Sequence, residues 1–369
     1  MRPEARNRRR DRLFVVVAVI AMVLTGGAVG HRVAVAQPPA PPAVEVQVAS
    51  GGRVTVGFAG DTHVGDGSTA ILEVEGWGAT MANVAPLGKA HDVFVANAEG
   101  PITASQNDAR PGAKYSYGAD PRAAEAMRSS GVTVAALANN HVMDRGHLGL
   151  ADTLAHLEAA GVTAFGAGLT YEDAARPLIL RTDAGTIGIV NLGENFGPLS
   201  RADDESGGMV MMTHNTVQRG VDAARAQGAD YVVAFVHWGN NYAPVTDLQR
   251  YWAGQMVAAG YDAVIGAGSH TIQPFELVGG TPVLYGLGNF VFGSRGRFAQ
   301  FGVEGLGLIA TLDWSAEAGA RIGVQCVQVD SLKVDYRPRP CDEALRAEAF
   351  EVVSPDLVVE GEVGWLPLG

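Results

Sequence analysis

The stretch LANNHVMDRG, Leu137–Gly146, ends an apolar run with two asparagines and a histidine. The run before it, VTVAALA (residues 132–138), has the β-branched and small apolar residues that are typical of a buried strand. Polar side chains at the end of a buried strand need partners, because an unpaired buried polar group costs free energy. In open α/β sheets, ligands bind beyond the carboxyl ends of the strands. The stretch therefore predicts a functional site at this strand end.

The same pattern recurs at four other predicted strand ends. The runs VTVGFAGDTH, DVFVANAEG, YVVAFVHWG and AVIGAGSH place candidate ligands at Asp61 and His63, Asn97 and Glu99, His237, and His270. One histidine after a strand is more often a hydrogen-bonded structural residue, but five strand ends with the same chemistry predict a shared site. Carboxylate oxygens mixed with imidazole nitrogens suit Mn²⁺, Fe or Zn²⁺. The sequence therefore predicts a divalent metal site.

The alternation of strands and helices predicts an α/β fold. From residue 53, short apolar strand-like runs alternate with Ala-rich helical stretches, several of which end in glycine. One long helical stretch is predicted over ILEVEGWGATMANVAPLGKA, residues 71–90. We assign residues 53–302 to the main domain. Residues 303–369, with runs such as GLGLIATLDW and FEVVSP, are predicted to form a β-rich extension packed on it.

The N-terminal part of the chain is predicted to be a targeting signal. Residues 1–12 are basic, residues 13–30 carry no charge, and residues 31–52 form a Pro-rich linker. At 1.5 Å per residue, the 18 uncharged residues of a helix span about 27 Å, which is close to the thickness of a bilayer core. This predicts a transmembrane signal anchor, with the alternative of a signal peptide cleaved near AVAQ, residues 34–37. In either case the main domain is expected outside the cytoplasm, at the membrane or secreted.

Charge and cysteine content agree with export and exclude one class of partner. The net charge is −12, and the first twelve residues contain six Arg, one Glu and one Asp, so the rest of the chain is strongly acidic. An acidic domain argues against nucleic-acid binding, which needs a basic surface. Cys326 and Cys341 are the two cysteines of the chain. In an exported protein such a pair predicts a disulfide, although two unpaired thiols are the alternative.

The motifs together resemble a known family. The strand ends resemble those of the calcineurin-like metallophosphoesterases. More closely, the chain resembles the CapA or poly-γ-glutamate capsule synthesis family, through phrases that occur in order over about residues 53–293. These phrases are GD, NAEGPIT, LANNHVMDRG, GAG, HWGNNY, GSHTIQPFE and LYGLGNFVF. The resemblance implies a four-layer α/β/β/α sandwich behind an N-terminal membrane-anchor helix.

The resemblance also implies roles for individual residues. Asp61, His63 and His270 would hold a first metal ion, Glu99 would bridge two ions, and Asn140 and His237 would hold the second. His141 would be the catalytic proton donor to a leaving group. The Gly-His-x-His phrase of the phosphoesterases is here AGSH, so that Gly268 stands where a histidine ligand is expected. This departure leaves open whether one or two ions bind and whether ordinary phosphatase activity is present.

Three further residues are candidate substrate contacts. Arg145 could bind an anionic substrate or form a structural salt bridge near Asp144, and the sequence does not separate the two. Asn289, in the glycine-rich GLGNF, and Lys114 are predicted near the site.

Three functions follow from the resemblance and the candidate site. The first is synthesis or export of an anionic capsule polymer of the poly-γ-glutamate type by an extracytoplasmic, membrane-anchored protein. Its partners would be that polymer, the membrane and other membrane proteins of polymer synthesis. The second is a metal-dependent hydrolase that acts on phosphoesters or another substrate. The third is a non-catalytic scaffold with a degenerate metal site.

Overall fold

The computed structural model describes residues 42–203, 206–293 and 296–368. The strands are β1 Val44–Val48, β2 Val54–His63, β3 Val93–Ala98, β4 Val134–Ala136, β5 Thr163–Phe165, β6 Ala167–Gly168, β7 Leu178–Thr182, β8 Gly185–Gly193, β9 Gly208–Met209, β10 Tyr231–His237, β11 Ala263–Ala267, β12 Ile272–Val278, β13 Thr281–Leu287, β14 Asn289–Phe292, β15 Leu306–Ser315, β16 Gly319–Gln328, β17 Arg339–Pro340, β18 Val358–Glu360 and β19 Val363–Trp365. The helices are α1 Thr69–Glu75, α2 Ala85–Lys89, α3 Arg122–Ser129, α4 Gly146–Ala159, α5 Tyr171–Ala174, α6 His214–Ala226, α7 Asp247–Ala259, α8 Arg297–Phe301, α9 Ser331–Val334 and α10 Glu343–Val353.

Two large mixed sheets form the centre of the fold. In the first sheet the strand order is β1-β7-β8-β10-β11-β13-β12, and in the second it is β18-β19-β16-β15-β2-β3-β4-β5, with β14 paired to β2 and β17 to β16. β2, β3, β4 and β5 run parallel to one another, as do β8, β10, β11 and β13. The carboxyl ends of these strands carry the candidate ligands. The α/β class predicted from the sequence is confirmed.

The hydrophobic residues divide into three clusters that define the layers. One cluster lies between the sheets, where side chains such as Phe58 of β2 and Phe235 of β10 meet with ring centroids 5.4 Å apart. A second joins the outer face of the β2 sheet to α1, α3 and α4. A third joins the outer face of the β10 sheet to α6 and α7. The layers therefore run helices, sheet, sheet, helices.

Glycines break the long helix predicted over residues 71–90. The structure has α1, a short 3-10 turn at Ala79–Met81, and α2. Gly76 ends α1 with φ 94°, a left-handed conformation that a side chain rarely adopts. The helical prediction was therefore right in type and wrong in continuity.

Two segments differ from the sequence prediction. Val44–Val48, within the predicted linker 31–52, forms β1 and pairs in parallel with β7, because its valines alternate with exposed polar residues. The run FEVVSP is not a strand, because Phe350–Val353 are the last turn of α10. Asp342 caps that helix by accepting a hydrogen bond from the Leu345 amide, and this favours helix over strand.

The C-terminal residues extend the β2 sheet. β15 pairs antiparallel with β2 over Val54–Ala59, and β16 continues the sheet. A disulfide joins Cys326 of β16 to Cys341, just before α10, with the Cα atoms 5.4 Å apart.

No helix in the described part of the chain is long and apolar enough to cross a membrane. The predicted anchor, residues 13–30, lies outside the described residues, as does the basic segment 1–12.

Candidate metal centre

Asp61 is held by hydrogen bonds at the carboxyl end of β2. Its side chain is fully buried, and Asn97 Nδ2 donates to Oδ1 at 2.7 Å. The amide of Gly268 donates to Oδ1 at 3.0 Å, and Nδ1 of His270 lies 3.1 Å from Oδ2. Burial would raise the pKa of Asp61, but the hydrogen bond from His270 and the nearby histidine charges outweigh it and lower the pKa. Asp61 is therefore an ionised, fixed carboxylate.

Glu99 follows β3 and has the opposite surroundings. It is 1% exposed, and neither carboxylate oxygen has a hydrogen-bond partner in the described part of the chain. Nε2 of His270 lies 3.6 Å from its Oε1, and Nε2 of His141 lies 3.8 Å from the same atom. Burial raises the pKa of Glu99 to about 8. A buried carboxylate without a donor is costly unless a cation compensates it, so both oxygens are suited to a metal ion.

His270 connects the two carboxylates. Ligand atoms of Asp61, Glu99 and His270 all lie within 4.8 Å of one another, and we call these three residues the metal triad. Burial would lower the pKa of His270, but the charges of Glu99 and Asp61 raise it to about 9. Asn289 Oδ1 lies 2.8 Å from His270 Nδ1. Asn289, which the sequence predicted as a substrate contact, therefore contacts a candidate ligand and orients its ring.

His237, at the end of β10, lies beside Asp61. Its Nδ1 is 3.7 Å from Asp61 Oδ1 and 3.0 Å from Asn97 Nδ2. Burial lowers the pKa of His237 to about 4, so the imidazole is neutral, as a metal ligand must be. Gly268 next to it has φ 96°, and a Cβ there would lie 2.9 Å from the His237 ring. At the sequence position where a histidine ligand was expected, Gly268 instead donates its backbone amide to Asp61.

Asn140 and His141 extend the site from the strand end of β4. The side-chain oxygen of Asn140 is buried and has no hydrogen-bond partner among the described residues. Its carbonyl accepts hydrogen bonds from Arg110 at 3.2 Å and from Ser200 at 2.9 Å. These bonds hold the backbone and leave the amide oxygen available as a neutral ligand.

His141 forms a pair with Asp144. Nδ1 of His141 lies 2.6 Å from Asp144 Oδ2, which also accepts a hydrogen bond from the Tyr117 amide at 2.8 Å. Burial lowers the pKa of His141. A carboxylate at Nδ1 fixes the ring so that Nε2 faces Glu99, an orientation suited to proton transfer.

Three other predicted site residues, His63, Arg145 and Lys114, are not members of the triad. His63, also on β2, stacks on Tyr117 with centroids 4.8 Å apart, and the same tyrosine contacts the His141 ring at 4.1 Å. Arg145 donates to the Ser116 hydroxyl at 2.6 Å, and Lys114 is exposed with Nζ 5.2 Å from the Tyr115 ring centroid. Lys114 thus lies in the loop around Ser116, and Arg145, which immediately precedes α4, binds that loop; neither residue belongs to the triad.

Two residues that shape the site were given no role by the sequence: Asn139, which the sequence placed at the strand end, and Arg297. Asn139 donates to the Ala98 carbonyl at 2.8 Å and to Asn97 Oδ1 at 3.3 Å, so it links two strand ends. The signal for it was present, since it stands in the same NNH phrase as Asn140. Arg297, at the start of α8, is buried near the triad, and its local sequence RGRF carries no strand-end signal.

Comparison with known proteins gives the family. A family profile described as "Bacterial capsule synthesis protein PGA_cap" matches residues 55–294, more than half of the chain. The chain belongs to the PGA_cap family. The matched residues include the whole metal triad together with His63, Asn140, His141 and His237.

Curated relatives in this family carry capsule-related names. The "PGA biosynthesis protein CapA" of Bacillus subtilis is 28% identical over 67% of this chain and 66% of its own length. The "Capsule biosynthesis protein CapA" of Bacillus anthracis is 27% identical over 65% of this chain and 60% of its own length. A "Probable polyglutamine synthesis accessory protein" of Mycobacterium tuberculosis is 32% identical over 58% of this chain and 59% of its own length. The match therefore spans about three fifths to two thirds of the length of these relatives.

Solved structures give a more distant likeness. The Haemophilus influenzae NAD nucleotidase aligns with a TM-score of 0.45 and 13% identity over 81% of this chain and 55% of its own. The calcineurin-like phosphoesterase YfkN of Bacillus subtilis aligns with a TM-score of 0.42 and 14% identity over 79% of this chain and 88% of its own length. This likeness is too low to carry an inference about function.

Proposed function

We propose that this PGA_cap protein acts outside the cytoplasm in the synthesis or export of an anionic capsule polymer of the poly-γ-glutamate type, and that it uses a divalent metal ion bound at the triad. Family membership and the names of its relatives support the polymer class. The uncharged segment 13–30 supports attachment to the membrane, where other proteins of polymer synthesis would be its partners.

The observation that carries the proposal is the Glu99 carboxylate. It is buried and unpartnered, and it lies between His270 and His141 at 3.6 and 3.8 Å. Asp61, Glu99 and His270 would hold the ion, His237 lies beside Asp61, and the unpartnered side-chain oxygen of Asn140 would supply a further ligand. Their mixture of oxygen and nitrogen donors suits Mn²⁺, Fe or Zn²⁺. A bound divalent cation would supply a Lewis acid and lower the pKa of a water molecule.

The chain's own residues provide positioning and proton transfer. The amides of Asn97 and Gly268 fix Asp61, and Asn289 fixes His270. In its imidazolium form, His141 would give the proton on Nε2 to the leaving group and become neutral imidazole, and the Asp144 carboxylate at Nδ1 would stabilise the imidazolium before the proton moves.

The test combines metal analysis with complementation. Full-length protein should purify with about one or more metal ions per chain, and deletion of its gene should reduce the anionic polymer on the cell surface. Wild-type protein and the control Glu360→Gln, an exposed glutamate paired with Arg321, should restore the polymer. Glu99→Gln should not restore it at equal protein level. A polymer that is unchanged by deletion overturns the proposal, and restoration by Glu99→Gln favours the scaffold function instead.

The pair of His141 and Asp144 favours one second function, a metal-dependent hydrolase of another substrate such as a phosphoester. Purified protein with Mn²⁺ should then turn over a chromogenic phosphoester, and His141→Gln should lower the rate by about 10²–10⁴-fold. Protein that contains no metal by elemental analysis and shows no Mn²⁺-dependent turnover excludes this function.

A further inference from the structure

Arg297 is a buried cation with no hydrogen-bonding or ionic partner among the described residues. Its residue is 9% exposed, and within residues 42–203, 206–293 and 296–368 its guanidinium makes no hydrogen bond and no ion pair. The Nε atom is fully buried, and no described residue offers it an acceptor. Arginine is seldom buried unless it is paired, because the desolvation of its charge costs several kcal/mol. The fold therefore keeps a charged donor group available at this place.

Aromatic rings hold Arg297 beside the metal triad. The guanidinium carbon lies 4.2 Å from the ring centroid of Tyr115 and 5.4 Å from that of Tyr242. Tyr242 in turn stacks on His270 with centroids 5.4 Å apart. The guanidinium is thus one aromatic ring away from a triad residue. Its field also reaches Glu99, whose pKa it lowers against the larger effect of burial.

The triad carboxylates do not satisfy this arginine. They form no hydrogen bond with it, and a divalent cation bound at the triad would compensate their charge. Arg297 would then be an uncompensated cation beside another cation, which is stable only with an anion. Its planar fork of N–H donors matches an oxyanion such as a carboxylate or a phosphate.

We propose that Arg297 binds an oxyanion of the substrate next to the metal triad, and so positions the reacting group of an anionic polymer or ester. This inference rests on the proposed function and names a specificity residue for the same site. It also explains how a chain with net charge −12 could hold a polyanion, since the local positive charge is buried at the point of contact.

The test measures oxyanion binding by full-length variants. Short γ-glutamyl oligomers and inorganic phosphate are titrated separately by calorimetry into Mn²⁺-loaded protein. Arg297→Met should weaken the binding of one or both probes by about 10–100-fold, and Arg297→Lys should restore part of it. A loss for the oligomer alone identifies a carboxylate, and a loss for phosphate alone identifies a phosphate group.

A matched control separates this role from a structural one. Arg321 also lies over an aromatic ring, 4.0 Å from the Trp365 centroid, but it is exposed and paired with Glu360. Arg321→Met should bind both probes as the wild type does. Arg297→Met should have the metal content of wild-type protein. Its thermal midpoint should also match that of wild type, both with and without EDTA, because the substitution removes a buried charge that no described residue compensates.

Three results would overturn the inference. The first is that wild-type protein binds neither probe. The second is that Arg297→Met binds both probes as tightly as wild-type protein does. The third is that the thermal midpoint of Arg297→Met falls by several degrees while its binding is lost. Failure of the proposed function is distinct. Arg297-dependent binding together with an unchanged capsule after gene deletion would overturn the capsule role alone.

Discussion

The two carboxylates of the metal triad differ in their hydrogen bonding. On the Asp61 side, comprising Asp61, Asn97 and Gly268, donors already occupy the carboxylate at 2.7 and 3.0 Å. On the Glu99 side, comprising Glu99 and the edge of His141 at 3.8 Å, the carboxylate accepts no hydrogen bond from any described residue. The same burial therefore has different results: the pKa of Asp61 is lowered and that of Glu99 is raised to about 8.

This difference separates two requirements of a metal site. The Asp61 side is built by the protein's own hydrogen bonds and contributes to folding whether or not an ion is bound. The Glu99 side is stabilised only by a cation and opposes folding of the metal-free chain. Each prediction below tests this division.

The largest effect is expected for Asp61→Ala. This change removes a metal ligand, and it takes from the Asn97 and Gly268 amides the carboxylate that accepts their hydrogen bonds. The free energy of unfolding in EDTA should fall by about 3 kcal/mol, and metal should no longer bind. Urea denaturation in EDTA, followed by tryptophan fluorescence, measures the first effect. An unchanged denaturation midpoint would show that the Asp61 side does not contribute to folding.

Glu99→Gln should affect metal without affecting the fold. The affinity for Mn²⁺ should drop by about 100-fold, because a charged ligand is lost. The free energy of unfolding in EDTA should stay the same or rise, because the neutral amide of glutamine can be buried without first taking up a proton, as the Glu99 carboxylate must. A destabilised metal-free variant would contradict the comparison.

Metal affinity should rise with pH because protons must leave Glu99 and His270 before the ion binds. Burial raises the pKa of Glu99 to about 8, and the charges of Glu99 and Asp61 raise that of His270 to about 9, so protons held by this pair near neutral pH compete with the ion. Between pH 6 and 8 the affinity should increase by about tenfold or more per pH unit, and it should level off above pH 9. Asp61 adds no slope here, since its pKa is lowered. Competition with a chelating dye measures this, and a flat profile would refute it.

The smallest effect is expected for Asn289→Ala. This residue orients His270 from 2.8 Å without being a candidate ligand. Its loss should reduce metal affinity by about tenfold and leave the selectivity among divalent ions unchanged. The same dye titration measures the affinity. A loss as large as that of Glu99→Gln would mean that Asn289 itself binds the ion.

The strand ends were predictable from the sequence because strand and ligand are adjacent in the chain. Asp61, Glu99 and His270 each follow an apolar run, and parallel strands deliver their ends to one edge. The alternation of runs gave the α/β class for the same reason. The glycine pattern predicted the end of α7 correctly at Gly260, which has φ 100°. It did not predict the break at Gly76, which lies inside a helical pattern.

What escaped prediction depends on contacts between distant segments. The amide of Gly268 reaches Asp61 across 207 positions, and a backbone donor leaves no residue-type signal. Arg297 reaches the triad through Tyr242 and also packs on Tyr115, and these two tyrosines come from two other loops. β1 was read as linker because five residues with alternating valines are too short a signal after a Pro-rich stretch. Whether Arg145 and Lys114 contact substrate stays a prediction.

Gly268 has a consequence for how this site can evolve. Its φ of 96° disfavours every residue with a side chain, and a Cβ would lie 2.9 Å from the neighbouring His237 ring. A single codon change to histidine would therefore clash before it could contribute a ligand, and it would also disturb the amide that holds Asp61. A further metal ligand would therefore have to arise at another position of the site, and selection for metal binding would act there.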